Sequence, residues 1–404
     1  MSNRPSAEDR SFERKDETME IADILQEVRK FVATELMRGD DSLDTYVEAP
    51  LPLYRKFRDT GLANWWIPPK YGGLGRNLQD SVDIVSELAY GDAGVSFTLF
   101  ASILGSTMIS LYGTDELRER YLRSSGDARG FSATLGSERA AGSELAKIAT
   151  TATRDGEDLV LDGEKFFATN ADFADFFVVI AASAENSLHQ LAVVVPRETP
   201  GIHIRKRWGM IGLRSSATYQ VSFENCRVPS KNMLQGQGVF LLEIALNATR
   251  ILIAATAIGI SRRIRDISIE YARSKTLQDS TLFEHPVFAG KIGQMEMQID
   301  VMRNQCLAAA GEFDEIMTRQ DAAAEFLRHG ALRSALTAKV FCGLTGWDIA
   351  GVGSQMFGGL GYTNESIIGK LVRDVRYVSI VEGGEDVLHE LVFRRYATPE
   401  FRRR

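Results

Sequence analysis

Between Phe131 and about Phe223 this chain breaks into short β-branched or alternating runs, while before and after that stretch its hydrophobic period is three to four. A period of two lines one face of a strand, and a period near 3.6 lines one face of a helix. A chain that switches twice cannot settle into a single all-helical or all-β layer. It has to build a helical part, then a β part, then a second helical part. In the middle stretch, TTATRDGEDLVLDGEKFFAT reads as two β segments around a turn at Asp155-Gly156. FFVVIAAS, QLAVVVP and ATYQVSFENCRV read as further strands.

The flanks are helical. IADILQEVRKFVATEL places Ile21, Ile24, Leu25, Val28, Phe31 and Val32 on one stripe, and LPLYRKFRDTGL makes a second helix ending at Gly61. WWIPPKYGGLGR, with its prolines and glycines, is a loop. Helices resume at Asp80 and in VSFTLFASILGSTMISLY, and TDELRERYLRSS opens on Thr114 as a cap. After Gly238 the long segments ALNATRILIAATAIGISRRIRDISIEYARS, GKIGQMEMQIDVMRNQCLAAAGEFDEIM and HGALRSALTAKVFCGLTGWDIAGVGSQMFGG predict a bundle with extra apolar faces, hence self-association. The expected class is α+β: a tail over 1–19, an N-terminal helical domain over 20–127, a middle β-barrel or sandwich domain over 128–237, and a C-terminal four-helix bundle over 238–404.

Composition narrows the function classes. A net charge of −7 argues against a nucleic-acid partner. Cys226, Cys306 and Cys342 are odd in number and far apart, so a disulfide framework is not expected and a cytoplasmic location is. His189, His203, His285, His329 and His389 are scattered, which gives no metal-ligand spacing. The polar first twenty residues carry no apolar leader core, and no run of about 18 apolar residues is apparent. The expectation is therefore no membrane partner. There is no G-x-S-x-G elbow, no H-E-x-x-H and no phosphate loop of the G-x-x-x-x-G-K kind.

Four local features can carry chemistry. Glu382 follows the apolar run YVSIV and precedes two glycines; burial there raises a carboxyl pKa and suits it to proton transfer. A salt-bridged Glu beside a glycine turn has the same local sequence. QMFGGLGYTNES offers close backbone approach to a phosphate or adenosine, or a plain helix-helix turn. GSERAAGSELA offers hydroxyls and backbone N–H groups to an anion, or a helix start capped by Ser143. KFFATN puts aromatics at a strand end, able to cover a planar cofactor or simply to fill a core.

Taken in order, these segments resemble the acyl-CoA dehydrogenase family over most of the chain, from about Glu20 to Tyr396. IPPKYGGLG resembles the family's Pro-x-x-Tyr-Gly-Gly-x-Gly loop. GSERAAGSELAKIATTA is similar to its Thr-Glu-Pro-x-x-Gly-Ser-Asp signature, and LDGEKFFATNADFAD to Asn-Gly-x-Lys-x-Trp-Ile-Thr-Asn. GMIGLRSSATYQVSFENCRVP resembles Met-Gly-x-Arg-x-Ser-x-Thr with its following strand, and QMFGGLGYTNESIIGKLVRDVRYVSIVEGGED the stretch ending in Tyr-Glu-Gly-Thr.

The resemblance implies FAD between the β domain and the C-terminal helices. Glu382 would remove the substrate's α-proton as a β-hydride leaves for flavin N5. It places Ser137 at the flavin's pyrimidine edge, Ser143 at the pyrophosphate, Phe167 on the flavin ring and Thr169 at N5. It places Gln355 and Gly359 at the adenosine half bound by a neighbouring subunit, and Arg250 and Gly383 beside the substrate. Substrates would be acyl-CoA or acyl-carrier protein, and the electron acceptor an electron-transfer flavoprotein or oxygen. The assembly would be a homotetramer or homodimer. Three positions depart from the pattern. Gly384 lacks the family's hydroxyl. Lys275 stands near an interface Arg, whose bidentate grip a Lys cannot copy, ahead of an apparent insertion. Arg139 replaces the signature proline. These departures suggest a secondary-metabolism branch. A flavin monooxygenase or N-hydroxylase, a hydroxyacyl-thioester oxidase, and a flavin-free scaffold on the same fold are the alternatives.

Overall fold

A computed structural model describes residues 19–37, 41–46, 48–127, 130–186, 188–277 and 279–398. Seven helices form the first part: α1 (Ile21–Phe31), α2 (Leu51–Asp59), α3 (Leu78–Gly91), α4 (Ala93–Phe100), α5 (Ile103–Tyr112), α6 (Asp115–Leu117) and α7 (Arg123–Gly126). The α1 stripe buries Ile24, Val28 and Phe31 as its period requires. The apolar run after Asp92 breaks at Ala101–Ser102 into α4 and α5. Asn77 caps α3 through Asp80 N (2.8 Å), and Asp92 caps α4 through Val95 N (2.8 Å). Thr114 caps α6 through Leu117 N, as expected from its sequence.

The middle part is a seven-stranded sheet of β1 (Ser132–Leu135), β2 (Thr151–Asp155), β3 (Asp158–Thr169), β4 (Phe176–Ser183), β5 (Gln190–Pro196), β6 (Ile202–Arg207) and β7 (Thr218–Pro229). Its order is β1-β4-β2-β3-β7-β6, with β5 on β4. β1 and β6 are strands that period alone did not reveal; IHIRKR carries three cations in six residues. β4 and β5 are apolar on both faces for a reason. Phe177, Val179, Ala181, Val193 and Val195 enter the core of the sheet unit. Phe176, Val178, Ile180, Ala192 and Val194 join the helical core on the other face.

The last part holds α8 (Gly238–Ser274), a hairpin of β8 (Thr276–Leu277) and β9 (Ser280–Thr281), α9 (Pro286–Met317), α10 (Ala322–His329), α11 (Arg333–Met356), α12 (Ile367–Val375) and α13 (Glu385–Val392). The apparent insertion after Lys275 is that hairpin, which closes with Leu282 N donating to Lys275 O (2.9 Å) and leads through a capping box at Thr281 into α9. Two stretches, Ala93–Tyr112 and Gly238–Ser274, do clear the hydropathy of a membrane span, contrary to the sequence expectation. Their apolar windows are 78% and 83% buried within the fold. Interspersed Ser, Thr, Gly and Asn hide them from a search for unbroken apolar runs. In the fold they serve as core helices, with α8 packed on α3, α9 and α11.

A buried ion triad joins the three parts. Lys370 on α12 pairs with Asp92 at the start of α4 (2.8 Å) and with Asp374 one turn along α12. Asp374 also accepts Leu213 N (2.7 Å), and Asp92 accepts Ser215 Oγ, both from the loop before β7. Burial pushes the Asp374 carboxyl up, and the nearby Asp92 adds to this against the pull of Lys370. Burial also opposes the charge on Asp92, but Lys370 outweighs it and the Asp92 pKa is lowered.

Candidate active site

The 3-10 turn Arg376–Ser379 follows α12, and the N–H groups of Ile380 (2.9 Å) and Val381 (3.0 Å) both donate to the Tyr377 carbonyl. The chain then turns through two residues in the left-handed region, Glu382 (φ 54) and Gly383 (φ 101), before α13 begins. A side chain at Gly383 would be strained by φ, and its Cβ would stand 2.8 Å from Leu388 Cδ2. Gly384, with φ −63, needs no glycine. A glutamate held at positive φ is an uncommon and costly state that the surroundings must enforce.

Two helices enforce it. On α8, Thr249 Oγ1 donates to Glu382 Oε2 (2.6 Å) and Arg250 Nε donates to the Glu382 carbonyl (3.1 Å). On α11, Lys339 Nζ donates to the Gly383 carbonyl. Tyr377, buried against Phe97 of α4 with ring centroids 5.4 Å apart, shares a 2.5 Å hydrogen bond with Thr256. The carboxylate therefore sits where α4, α8, α11 and the C-terminal turn converge.

Burial pushes the Glu382 carboxyl up to about 7, while Thr249, Arg250 and Lys339 pull it back. Burial and the neighbouring Arg250 bring Lys339 down to about 8, against the pull of Glu382 and Glu385. Burial also lowers the Arg250 pKa, and its Nη1 has no hydrogen-bond partner among the described residues. A base near 7 is matched to proton abstraction at neutral pH.

The second group of expected residues lies at the C-terminal end of β3. The β3–β7 register slips between Lys165 and Ala168, so Phe166 and Phe167 form a bulge. The bulge sets Phe167 at φ 56 and leaves it 55% exposed, which re-aims its ring outward. That ring lies 5.0 Å from Trp208, tilted by 33°. Thr169 Oγ1 is 3.1 Å from Thr218 Oγ1, and Ser137 O accepts Phe166 N (2.9 Å). Aromatic surface and hydroxyls thus adjoin one another, with Trp208 Nε1 buried and lacking an acceptor among the described residues. This set fits a planar, polar-edged cofactor.

The loop from Gly136 is locked by a buried pair, Lys165 Nζ to Glu138 Oε1 (2.7 Å); Glu138 also accepts Ala149 N (2.7 Å) and Thr150 N (3.0 Å). A Cβ at Gly136 would stand 3.0 Å from Leu242 of α8, so this loop abuts the helix that carries Thr249. Ser143 is exposed and caps no helix: only a 3-10 turn follows, at Leu145–Lys147, preceded by Glu144. Arg139 is exposed beside it.

The third group is remote. Lys275 ends α8, about 37 Å along the axis from Arg250 at 1.5 Å per residue. Tyr271 stacks on Phe357 (4.6 Å) and so gathers Lys275, Gln355 and Gly359, all exposed, at one end of the bundle. They are brought together with one another but not with the Glu382 of their own chain. Sequence reasoning missed Thr249, Lys339, Tyr377 and Trp208. For Thr249 and Lys339 the one local signal is polarity within apolar helical stripes, as in ALTAKVF. Cys306 and Cys342 lie 36 residues apart in sequence, and their free thiols face each other at 3.7 Å between α9 and α11.

The acyl-CoA dehydrogenase N-terminal, middle and C-terminal domains match residues 18–127, 133–226 and 236–397. The chain belongs to the acyl-CoA dehydrogenase family, whose members are FAD-dependent oxidoreductases acting on CH–CH groups. It is 29% identical to a probable acyl-CoA dehydrogenase, YngJ, of Bacillus subtilis over 390 residues, covering 94% of this chain and 98% of that protein. It is 30% identical to the cyclohex-1-ene-1-carbonyl-CoA dehydrogenase of Geobacter metallireducens over 351 residues, covering 85% and 89%. Butyryl-CoA dehydrogenase from Megasphaera elsdenii has the same fold, with a TM-score of 0.84, 26% identity and coverage of 92% and 96%.

Proposed function

We propose that this enzyme dehydrogenates the α,β bond of an acyl group carried as a CoA or carrier-protein thioester, with Glu382 as the base. The observation that carries this reading is a half-buried carboxyl raised to about 7, bonded by Thr249, on a turn whose carbonyls are held by Arg250 and Lys339. The Glu382 side chain takes the α-proton. Phe167, Trp208, Ser137 and Thr169 would hold the flavin ring, and Ser143 would meet the pyrophosphate. FAD, when bound, supplies the hydride acceptor for the β-carbon. Electrons then pass to an electron-transfer flavoprotein or to oxygen.

Anaerobic mixing with a panel of acyl-CoA and acyl-carrier-protein thioesters tests the reading. Bleaching of the flavin by at least one thioester is expected, whereas flavin reduction that requires a separate reductase would replace this reading with oxygenation. For an active thioester, kcat/KM is expected to rise with pH along an acid limb near 7, as Glu382 loses its proton. A limb near 4.5, the ordinary carboxyl value, would mean that burial does not tune this base.

Self-association belongs to the same proposal. α9 and α11 run antiparallel, with Cys306 beside Cys342 and Gln298 bonded to Asp348 (2.9 Å). They expose Met297 and Val301 next to Phe341, Leu344 and Trp347. A contiguous apolar face of this kind marks an interface. A second copy of the chain there would bring subunits together, and Lys275, Gln355 and Gly359 would complete a neighbour's adenosine site. Leu344→Arg/Trp347→Arg is expected to convert an oligomer to smaller species by size-exclusion chromatography with light scattering. A monomeric wild-type protein would contradict the proposal.

A further inference from the structure

Lys339 has no exposed surface, and its neighbours Ala335, Leu336, Ala338 and Cys342 on α11 are buried as well. An ammonium is not buried without compensation. Its one hydrogen bond among the described residues goes to the carbonyl of Gly383, the residue directly after Glu382. Arg250 holds the preceding carbonyl, that of Glu382 itself, from α8. Two cations on two different helices thus grip successive carbonyls of a turn whose residues both have positive φ.

We propose that Lys339 is a positioning residue for the dehydrogenation: it fixes the Glu382–Gly383 turn through the Gly383 carbonyl and supplies the positive charge that favours the carboxylate form of Glu382. The inference rests on the reading of Glu382 as the base. The groups facing this cluster come from every packed element. They are Arg250 on α8, Lys339 on α11, Tyr377 in the 3-10 turn and Glu385 in the first turn of α13, with Glu243 and Arg395 acting on Arg250. Of these, Arg250 and Lys339 are the cations that act on Glu382. Glu385 and Tyr377 contribute no positive charge, so with Lys339 neutralised Arg250 is left as the one cation of this set that favours the carboxylate.

The test uses the full-length FAD-loaded enzyme and two variants. Lys339→Gln keeps a hydrogen-bond donor for the Gly383 carbonyl but removes the charge, and Lys339→Met removes both. Titration of the Glu382 carboxyl is followed by infrared difference spectroscopy, with Glu382→Gln identifying the band. In both variants the midpoint is expected to move up by about one pH unit, in the range that an opposite charge at close quarters commands. The acid limb of flavin reduction should move with it. Lys339→Met alone should also slow reduction on the high-pH plateau, because only it releases the turn. Wild-type midpoints in both variants would overturn the proposal, since a structural role alone leaves the titration unmoved. If Lys339→Met does not fold, Lys339→Gln still decides the charge effect. Should no thioester reduce the wild-type flavin, the dehydrogenase reading fails while the infrared titration still decides whether Lys339 controls Glu382.

Discussion

Glu382→Gln is expected to slow anaerobic flavin reduction by an acyl thioester by about 10²–10⁴-fold, the usual worth of a positioned general base. The amide has the shape of the carboxyl and can still accept from Thr249, so the turn and the cofactor cradle should persist. The variant should purify with FAD bound and with an unchanged visible spectrum. Loss of rate with the cofactor retained separates a missing base from a collapsed site. The substitution also removes the negative charge between Arg250 and Lys339, which adds to the effect by bringing Lys339 further down from about 8. A reduction rate within tenfold of wild type would remove Glu382 from the chemistry.

Lys370→Met is expected to be the most damaging single change to stability away from the site. It leaves Asp92 and Asp374 facing each other, both fully buried. Removing one partner of a buried ion pair costs about 3–5 kcal/mol, because the remaining charge is stranded. Here two carboxylates are stranded, and one of them must take up a proton. The sign of the pH dependence follows. A carboxyl whose folded pKa lies above its unfolded value is stabilising below the unfolded pKa and loses that contribution as pH rises through the folded one. The gap in melting temperature between wild type and variant should therefore widen from mildly acidic to mildly alkaline buffer. An equal gap at both would show that the triad is already neutralised by another group. Because Asp92 caps α4 and Asp374 anchors Leu213, the melting should loosen contacts among all three parts of the chain.

Much of this architecture is legible in the sequence because hydrophobic period is a local property. The α1 stripe, the turn at Asp155-Gly156 and the long bundle helices follow from residues within a turn or two of each other. Five motif segments in a fixed order pointed to the family, and through it to Glu382. Period failed at β1, which is four residues long, and at β6, which hides behind its charges. β4 and β5 read as strands from their β-branched residues although they lack alternation, because both faces are buried, one in the sheet core and one against helices. The α4–α5 pair and α8 hide their membrane-like hydropathy because Ser, Thr and Gly break the runs.

What the sequence by itself determined is the helical, β, helical order, the glycine-bounded position of Glu382 and the hydroxyl-bearing segments suited to a flavin. What only the tertiary structure decided is the state of those residues. Phe167 turns outward because β3 and β7 slip in register, which no single strand encodes. Lys275, Gln355 and Gly359 separate from Glu382 because a helix as long as α8 carries its two ends far apart. The Glu382 carboxyl rises to about 7 because burial outweighs the downward pull of Thr249, Arg250 and Lys339, which stand 133, 132 and 43 residues away in the chain. Desolvation and fixed charge depend on what lies within a few ångströms, and chain folding alone sets that.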